Sequence, residues 1–378
     1  MRWALLIAVT WAAWGQDDVA ALRTHAASLV AQGKYAEAEP LLQRALDARE
    51  KELGPNDPAV APALEELAAL YRAEGRSADA EKLYLRSLDL KEKSAGKQSL
   101  ELIPDLKRMA ALYDTMSRTA DAEKLYLRVV AIRLNAQGSD DLELAHDHAD
   151  LAAFYISKKR YAVAEPNLLR AIDITQKRLG PEEPSLVGLL ESLASVFIEQ
   201  KSYELAEPPL RRAVSIEERA EGPRSVAVAP HLDRLAQCLF LQKKYTDSEP
   251  LYRRSLAIWE ASLGPSNPEL ATTLDNLAVV LASQEKFADA EPLYRRALNL
   301  RQTTIVASLN NLAMVLEGKG QDTAAERHYR QAIAAAEKLP DTSLLAFTLH
   351  NYSALLKKLK RDAEAKRTEA RAVALESK

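Results

Sequence analysis

A glutamate recurs every 42 residues along this chain, and this spacing limits the possible fold more than any other feature of the sequence. The series comprises Glu39, Glu81, Glu123, Glu165, Glu207, Glu249 and Glu291. An arginine follows each of them after five residues, at Arg44, Arg86, Arg128, Arg170, Arg212, Arg254 and Arg296. Half of the 12 glycines share the interval, at Gly54, Gly96, Gly138, Gly180, Gly222 and Gly264. A fixed period between about 20 and 50 residues is typical of stacked repeats. The 378 residues therefore predict one elongated array.

The apolar pattern within one period predicts two helices. Four residues fall at helical spacing in the first of them: Leu64, Leu67, Ala68 and Tyr71. This helix is predicted from Pro58 to Glu74 and the second from Ser77 to Ala95, where Gly96 supplies a C-terminal stop. The same pattern fits every period, so we predict about nine helical hairpins. Five second helices carry a proline directly after the periodic glutamate, which we expect in the first turn, where amides have no intrahelical partner. These are Pro40, Pro166, Pro208, Pro250 and Pro292.

Composition and charge agree with an all-α protein and exclude some classes of function. The chain has only five phenylalanines and a formal net charge of -3 at pH 7. Acidic and basic residues are interspersed, so there is no electrostatic basis for binding nucleic acid or an anionic membrane surface. Cys238 is the only cysteine, so an intramolecular disulfide is impossible and we expect it to act as a small apolar residue in a helix.

Residues 1–15 differ from the repeats. The segment MRWALLIAVTWAAWG has one basic residue near its start and an apolar run, and Asp17 and Asp18 follow soon after it. This pattern predicts a signal peptide cleaved before Gln16, since the run is too short for a membrane span. The alternative is a helix that frays at the N-terminus. We therefore expect an exported protein, periplasmic or extracellular, with no membrane insertion after the signal peptide is removed.

The repeats resemble a known family. First helices carry the pairs Leu67-Ala68, Met109-Ala110, Leu151-Ala152, Leu193-Ala194, Leu235-Ala236, Leu277-Ala278 and Leu312-Ala313. With a small residue in each second helix, these pairs resemble the tetratricopeptide repeat, and the stretch from Leu263 to Leu298 is similar to its kinesin-light-chain type. The resemblance implies a right-handed α-solenoid in which first helices form the concave wall that binds peptides. It divides the chain into seven 42-residue repeats at 17–302, a shortened eighth at 303–340, and a degenerate ninth with a C-terminal cap at 341–378, in one continuous solenoid.

The sequence lacks the residue sets that catalysis requires. There is no glycine-rich phosphate loop and no Ser/His/Asp set in the context of a nucleophile elbow. His146 and Asp150 lie four residues apart on a helix, but two ligands are too few for a closed metal site. His148 stands where neighbouring repeats have leucine, so we expect it to be packed or to line the groove. We predict a non-enzymatic protein without cofactor or metal, and a hydrolytic function fits poorly.

The predicted partner site lies on the first helices. In the kinesin-light-chain type, an asparagine directly before the Leu-Ala pair forms hydrogen bonds with the main chain of an extended peptide. The resemblance carries this role onto Asn276, Asn311 and Asn351, and we include the adjacent Asn310 and the equivalent Arg234. One asparagine amide both donates and accepts, as a peptide main chain requires. Earlier repeats depart from this pattern.

Several apolar residues further along the first helices complete the candidate site. They are Ile156, Ile198, Phe240 and Leu241. They form either a shelf for a ligand side chain or packing against the adjacent hairpin, and the sequence leaves both open.

We therefore predict a scaffold that binds a peptide or protein partner in the concave groove, most strongly in the C-terminal half. The alternative is a self-associating structural or envelope-assembly component, although a monomer is favoured.

Overall fold

The computed structural model describes residues 19–376, apart from 266, 268, 301–304 and 339–341. All regular secondary structure in these residues is helical, which confirms the all-α class. None of the described helices is long and apolar enough to cross a membrane. The predicted signal peptide lies outside the described residues, as do the predicted repeat boundaries at 302/303 and 340/341. The single continuous solenoid and its handedness stay predictions.

The chain forms two compact units, divided between Pro181 and Glu182. The first contains α1 (19–31), α2 (Tyr35–Leu53), α3 (Ala61–Ala73), α4 (Ser77–Ala95), α5 (Ile103–Thr115), α6 (Thr119–Gln137), α7 (Leu142–Ser157) and α8 (Tyr161–Leu179). The second contains α9 (Leu186–Glu199), α10 (Tyr203–Glu221), α11 (Val228–Leu241), α12 (Tyr245–Leu263), α13 (Leu270–Ser283), α14 (Phe287–Leu300), α15 (Ile305–Gly318), α16 (Asp322–Ala336), α17 (Ser343–Lys358) and α18 (Asp362–Glu376). Consecutive helices pair as hairpins, with the odd-numbered helix first.

The predicted hairpin of the second repeat is close to the observed one. Its second helix has the predicted bounds, Ser77–Ala95. Its first helix is preceded by a short 3-10 helix, Pro58–Val60, because the Asp57 side chain accepts from the Ala59 amide at 2.8 Å. Gly54 ends the preceding helix with a φ of 90° and donates its amide to the Glu50 carbonyl at 2.9 Å. Such a φ is strained for any residue with a Cβ, which accounts for the periodic glycines.

The periodic prolines are not in the first turn, and this prediction was wrong. Each is the sixth residue of its helix: α2 begins at Tyr35 and contains Pro40, and α12 begins at Tyr245 and contains Pro250. An amide at the sixth position normally donates to the carbonyl four residues earlier, so each proline removes one helical hydrogen bond. Four of these second helices continue for more than three turns beyond the proline, and α14 continues for about two, to Leu300, held by packing.

Close packing within each hairpin depends on small residues. The second helices bury Ala80, Ala122, Ala164, Ala206, Ser248 and Ala290, all with an exposed fraction of 0%. Ser248 at this position satisfies its hydroxyl by donating to the Ala236 carbonyl at 2.7 Å. The Leu-Ala pairs of the first helices are buried opposite, as with Leu67 and Ala68. Small side chains at a helix contact let two backbones approach, and the flanking leucines fill the remaining space.

The periodic charged residues link one hairpin to the next. The glutamates accept from a basic residue 37 positions later: Glu39 from Arg76 at 3.0 Å, Glu81 from Arg118 at 2.7 Å, Glu207 from Lys244 at 2.8 Å, and Glu249 from Lys286 at 2.8 Å. The arginines donate to a loop carbonyl 31 positions earlier: Arg86 to Pro55, Arg128 to Lys97, Arg170 to Ser139, Arg254 to Pro223 and Arg296 to Pro265. The residues that recur with the repeat period therefore form ion pairs and hydrogen bonds between neighbouring hairpins.

Candidate binding site

The second unit contains an open cleft that is formed mainly by α13, α15 and α17, the first helices of its last three hairpins. The cleft has a volume of about 820 Å³ and is lined from α13 to α17. We call it the C-terminal cleft and define it by its lining residues Val279, Ala282, Ser283, Phe287, Tyr294, Asn311, Met314, Val315, Glu317, Gly318, Tyr329, Phe347, Asn351, Ala354 and Lys358. The structure thus brings two of the predicted asparagines together. Asn276, on α13, is half-buried and is not part of this lining.

The walls of the C-terminal cleft are apolar and partly open to solvent. Met314 on α15 is 45% exposed and Phe347 on α17 is 52% exposed. Tyr294 and Tyr329 lie behind them and are almost completely buried, at 3% and 1% exposure. Neither large exposed side chain was predicted as a site residue. The available signal was an apolar residue at an outward-facing helix position, Met314 directly after the Leu312-Ala313 pair.

The asparagine amides form a short network at the edge of the cleft. Asn351 donates from Nδ2 to Asn310 Oδ1 at 3.1 Å, and Asn310 Nδ2 in turn lies 3.6 Å from Met314 Sδ and 3.5 Å from Asn311 Oδ1. Within the part of the chain that the structure describes, this leaves Asn311 Nδ2 and Asn351 Oδ1 without a hydrogen-bond partner. One donor and one acceptor therefore remain for a ligand.

Asn310 itself corrects the sequence prediction. It is 1% exposed, so it cannot be a primary contact for a partner in the groove. It occupies the position of Asp275 in the preceding hairpin, which faces the next helix rather than solvent. Burying an amide without partners is costly, and the contact with Asn351 satisfies its carbonyl. Asn310 therefore orients Asn351 instead of binding a ligand directly.

The far end of the C-terminal cleft is polar. Lys358 donates from Nζ to Asp322 Oδ1 at 2.7 Å and to the Glu317 carbonyl at 3.1 Å. The Glu317 carboxylate accepts from the Tyr329 hydroxyl at 3.2 Å. Burial raises the pKa of Glu317, and the hydrogen bond from Tyr329 opposes that shift. This end therefore offers a cation and a partly buried carboxylate close to each other.

The remaining predicted residues are held within the protein. Arg234 is exposed but pairs with Glu191 at 3.1 Å, and Glu191 also contacts His231 Nδ1 at 2.6 Å. The Phe240 ring lies 5.5 Å from that of Tyr245 in its own hairpin and packs against the core, which favours the packing interpretation over a ligand shelf. Ile156, Ile198 and Leu241 are half-buried. None of these residues lines the C-terminal cleft.

The first helices of the first unit are bridged by ion pairs. Arg23 pairs with Glu66, Arg108 with Glu65 at 2.7 Å, and Lys107 with Asp150 at 2.6 Å. Each pair joins one first helix to the next. One member of each pair, namely Glu66, Arg108 or Asp150, stands where the second unit has Asn276, Asn311 or Asn351. The charges of each pair are neutralised within the chain.

Two buried aspartates beneath these ion pairs were not identified by the sequence analysis. Asp147 is buried and contacts Lys107 and Arg133, each at 2.7 Å. Asp105 contacts Lys91 at 2.7 Å, and burial raises its pKa against the opposing hydrogen bond from Lys91. His148, predicted as packed or groove-lining, is half-buried with Nδ1 2.8 Å from Asn167 Oδ1. Among the described residues, no group of three or more His, Cys, Asp or Glu side chains is arranged to hold a metal ion.

Comparison with known proteins identifies the family. The family model described as Tetratricopeptide repeat matches residues 17–93, 60–135, 225–303 and 304–376, which is well over half of the chain. The chain therefore belongs to the tetratricopeptide repeat family, as the Leu-Ala pairs predicted. The comparison with curated proteins found no match.

Several solved structures align with this chain. A signal-transduction ATPase with a tetratricopeptide repeat sensor from Pyrococcus horikoshii aligns with a TM-score of 0.55 and 14% identity, covering 89% of this chain and 52% of that one. Aspartyl phosphate phosphatase F from Bacillus subtilis gives 0.51 and 14% identity, over 95% and 94%. A kinesin-light-chain protein from Podosopora anserina with nearly identical TPR-like repeats gives 0.47 and 21% identity, over 54% and 96%. The first two alignments show similarity of fold alone.

Proposed function

We propose that this chain is a non-enzymatic scaffold that binds an extended segment of a protein partner in the C-terminal cleft. Tetratricopeptide repeats generally form non-catalytic scaffolds for protein–protein interaction. One observation supports placing the partner here: Asn311 and Asn351 leave one donor and one acceptor free beside the exposed apolar surface of Met314 and Phe347. At the same position on four other first helices, the side chains of Glu66, Arg108, Asp150 and Arg234 are held in ion pairs.

The proposed binding mode combines two kinds of contact. A peptide in extended conformation presents its N–H and C=O groups in alternation, so Asn311 Nδ2 can donate to one carbonyl and Asn351 Oδ1 can accept from a nearby amide. An apolar peptide side chain between them would cover Met314 and Phe347, and methionine adapts well to differently shaped partners. Main-chain contacts provide affinity, and the apolar wall selects for a large hydrophobic residue.

The test is a selection of peptides on the purified protein. A displayed library of random 12-residue peptides is panned, and affinities of the selected peptides are measured by fluorescence anisotropy. We expect Asn311→Ala to weaken binding about tenfold, the effect of one lost hydrogen bond plus an unsatisfied peptide group, and Met314→Glu to abolish it. Ser192→Ala is the matched control, since Ser192 stands at the same repeat position on α9, away from the cleft.

The resemblance also assigns Asn276 to the peptide site. If the bound segment extends by one more hairpin, Asn276→Ala weakens binding as Asn311→Ala does. Selected peptides that bind Asn311→Ala and Met314→Glu as tightly as the unchanged protein would show that the C-terminal cleft is not the site.

Export is proposed on the composition of residues 1–15 alone. The expected product begins at Gln16, and N-terminal sequencing of protein recovered from the cell exterior or periplasm checks it. Recovery of a chain that still begins at Met1 in the cytoplasm would contradict the proposal.

Self-association is a second candidate, favoured by a row of exposed leucines in the first unit. Leu85, Leu127 and Leu169 stand at the same repeat position on α4, α6 and α8 and are 44%, 46% and 47% exposed. Apolar side chains repeated along one face favour contact with another protein surface. Sedimentation velocity over a hundredfold concentration range tests this idea, and a constant sedimentation coefficient rejects it.

A further inference from the structure

A second, smaller cleft lies on the opposite side of α17, between α16 and α18. It has a volume of about 460 Å³. We call it the arginine cleft, because its lining comprises Arg330, Ile333, Ala334, Glu337, Leu349, Tyr352, Arg367, Thr368 and Arg371. Three guanidinium groups thus face one cleft that contains a single carboxylate. None of these residues lines the C-terminal cleft.

The three arginines differ in how they are held. Arg330 donates to Glu326 at 2.7 Å and to the Tyr352 hydroxyl at 3.1 Å. Arg371 donates to Glu337 at 2.7 Å. These contacts fix two guanidinium groups in place while leaving several N–H donors on each unoccupied, since a guanidinium carries five. Arg367 is exposed and makes no ion pair with any residue of the described segments.

The excess of positive charge has a local cause in the sequence. When α16 and α18 are aligned on their buried alanines, Ala325 and Ala365, Lys366 stands where α16 has Glu326. In the other hairpins a glutamate at this position accepts from basic side chains. The last hairpin therefore has a cation, Lys366, at the place of that acceptor, and Arg367 follows it directly in the sequence.

From this arrangement we propose that the arginine cleft binds a phosphate group, either as free phosphate or as the phosphomonoester of a small organic molecule. The planar guanidinium fork matches the geometry of a phosphate, which can accept from two N–H groups of one arginine. The hydroxyls of Tyr352 and Thr368 lie in the same lining, but each already donates within the chain, to the Glu326 carboxylate and to the Glu364 carbonyl, both at 2.9 Å. The donors to a phosphate are therefore the guanidinium groups. Ile333 and Leu349 form an apolar part of the cleft where the organic portion of a phosphomonoester would rest.

Equilibrium dialysis of the full chain with radiolabelled inorganic phosphate at low ionic strength tests the site. We expect one saturable site in the millimolar range or tighter, and at least about a tenfold loss of affinity in Arg367→Gln. Arg211→Gln is the matched control, because Arg211 is similarly exposed but pairs with Glu207 at 2.9 Å. Since Arg367 has no ion-pair partner, its substitution should leave the far-UV circular dichroism and the melting temperature unchanged.

A second dialysis experiment with phenyl phosphate distinguishes free phosphate from an organic phosphomonoester as the ligand. Tighter binding of phenyl phosphate than of inorganic phosphate identifies an organic phosphomonoester that uses the apolar part of the cleft, and equal or weaker binding identifies free phosphate. The proposal is overturned if Arg367→Gln binds phosphate as tightly as the unchanged protein. It is also overturned if chloride at matched ionic strength abolishes phosphate binding in the control and in the variant alike. The peptide-binding assay is independent of this outcome.

Discussion

The first helices of the two units place different residues at one repeat position. In the first unit the position holds Glu66, Arg108 and Asp150, and the side chains there are joined by ion pairs. In the second unit it holds Ser192 on α9 and Arg234 on α11, where Arg234 pairs with Glu191 at 3.1 Å. Only the last three first helices, α13, α15 and α17, hold asparagine there, at Asn276, Asn311 and Asn351. An ion pair occupies both partners, whereas an amide has four hydrogen-bonding sites and can satisfy a neighbour with one of them. The same hairpin thus gives a surface neutralised by its own charges in the first unit and a surface with free polar groups in the last hairpins of the second.

The second helices show the opposite trend. In the second unit Arg211, Arg253 and Arg295 each pair with the periodic glutamate four residues earlier, at 2.9, 2.9 and 2.7 Å. At the equivalent position the first unit has the exposed Leu85, Leu127 and Leu169. In the first unit, therefore, the first helices carry ion pairs and the second helices carry exposed leucines. In the second unit, the second helices carry paired arginines and the last three first helices carry asparagine amides. Partner binding on the first helices is expected only in the second unit.

The largest effect is expected from removing the buried carboxylate of the first unit. Asp147→Ala leaves Lys107 and Arg133 without the carboxylate that neutralises them in a buried site, so we expect a loss of about 3 kcal/mol in the free energy of unfolding. Asp150→Ala is the matched control. Its carboxylate contacts the same Lys107 at 2.6 Å but is 50% exposed, so the loss should stay below about 1 kcal/mol.

Urea denaturation followed by far-UV circular dichroism measures both variants. Equal losses in Asp147→Ala and Asp150→Ala would mean that burial does not distinguish the two carboxylates, and the contrast between the units would lose its energetic basis.

The next effect separates the structural amide of the second unit from its ligand amides. Asn310→Ala leaves a small cavity and deprives Asn351 Nδ2 of its acceptor, so we expect a loss of about 1–2 kcal/mol. Asn276→Ala removes a half-buried amide for which the described residues provide no side-chain partner, and its effect should stay within about 0.5 kcal/mol. Trp259 is the only tryptophan after residue 15, so in a chain that lacks residues 1–15 its fluorescence reports unfolding of the second unit. Equal stability of the two variants would contradict the role assigned to Asn310.

Much of this architecture could be predicted from the sequence, because periodicity directly records helix faces. The Leu-Ala pairs and the small residues of the second helices gave the hairpins and their packing, since helix contacts need that alternation. The prediction that the prolines lie in the first helical turn was wrong, because no capping residue marks the start of each second helix, as at Tyr35. Asn310 and Asn311 are adjacent in sequence, and only the packing of α15 against α17 decides which is buried. The clefts depend on side chains from several helices, such as Phe347 and Arg367, which no repeat pattern relates.

Because of the periodic glutamates, the free energy of unfolding should fall at acidic pH in both units. Hydrogen bonding from Lys286 is the largest cause that lowers the pKa of Glu249, from 4.5 to about 2. A lowered folded-state pKa contributes stability above the unfolded-state value, and this contribution is lost as the pH falls from about 4.5 to about 2. Glu249→Gln should therefore cost about 1 kcal/mol at pH 7, a value limited by the solvent exposure of Lys286, and nothing at pH 2.

Asp233 provides a contrast of opposite sign. Burial raises its pKa above 3.8, against hydrogen bonds from Ser255 and Thr273. Its contribution is present below pH 3.8 and is lost as the pH rises through the folded-state value. Asp233→Asn should therefore gain stability relative to the unchanged protein as the pH increases. Thermal unfolding from pH 2 to 7 measures both variants, and parallel pH profiles for the two would contradict the assignments.

The smallest effect is expected from giving the first unit the paired face of the second. Leu127→Arg places a guanidinium four residues after Glu123, the spacing at which Arg253 pairs with Glu249 in the second unit. Such a pair contributes about 0.3–0.5 kcal/mol on a helix surface, and salt screens it. We therefore expect a small rise in melting temperature at low salt that disappears in about 1 M salt, where the Debye length falls to about 3 Å. The reciprocal variant Arg253→Leu should lose a similar amount, again only at low salt. A gain in Leu127→Arg that persists in high salt would mean that removing exposed leucine, and not forming the ion pair, is what stabilises the chain, and the two second-helix faces would then differ in solubility rather than in electrostatics.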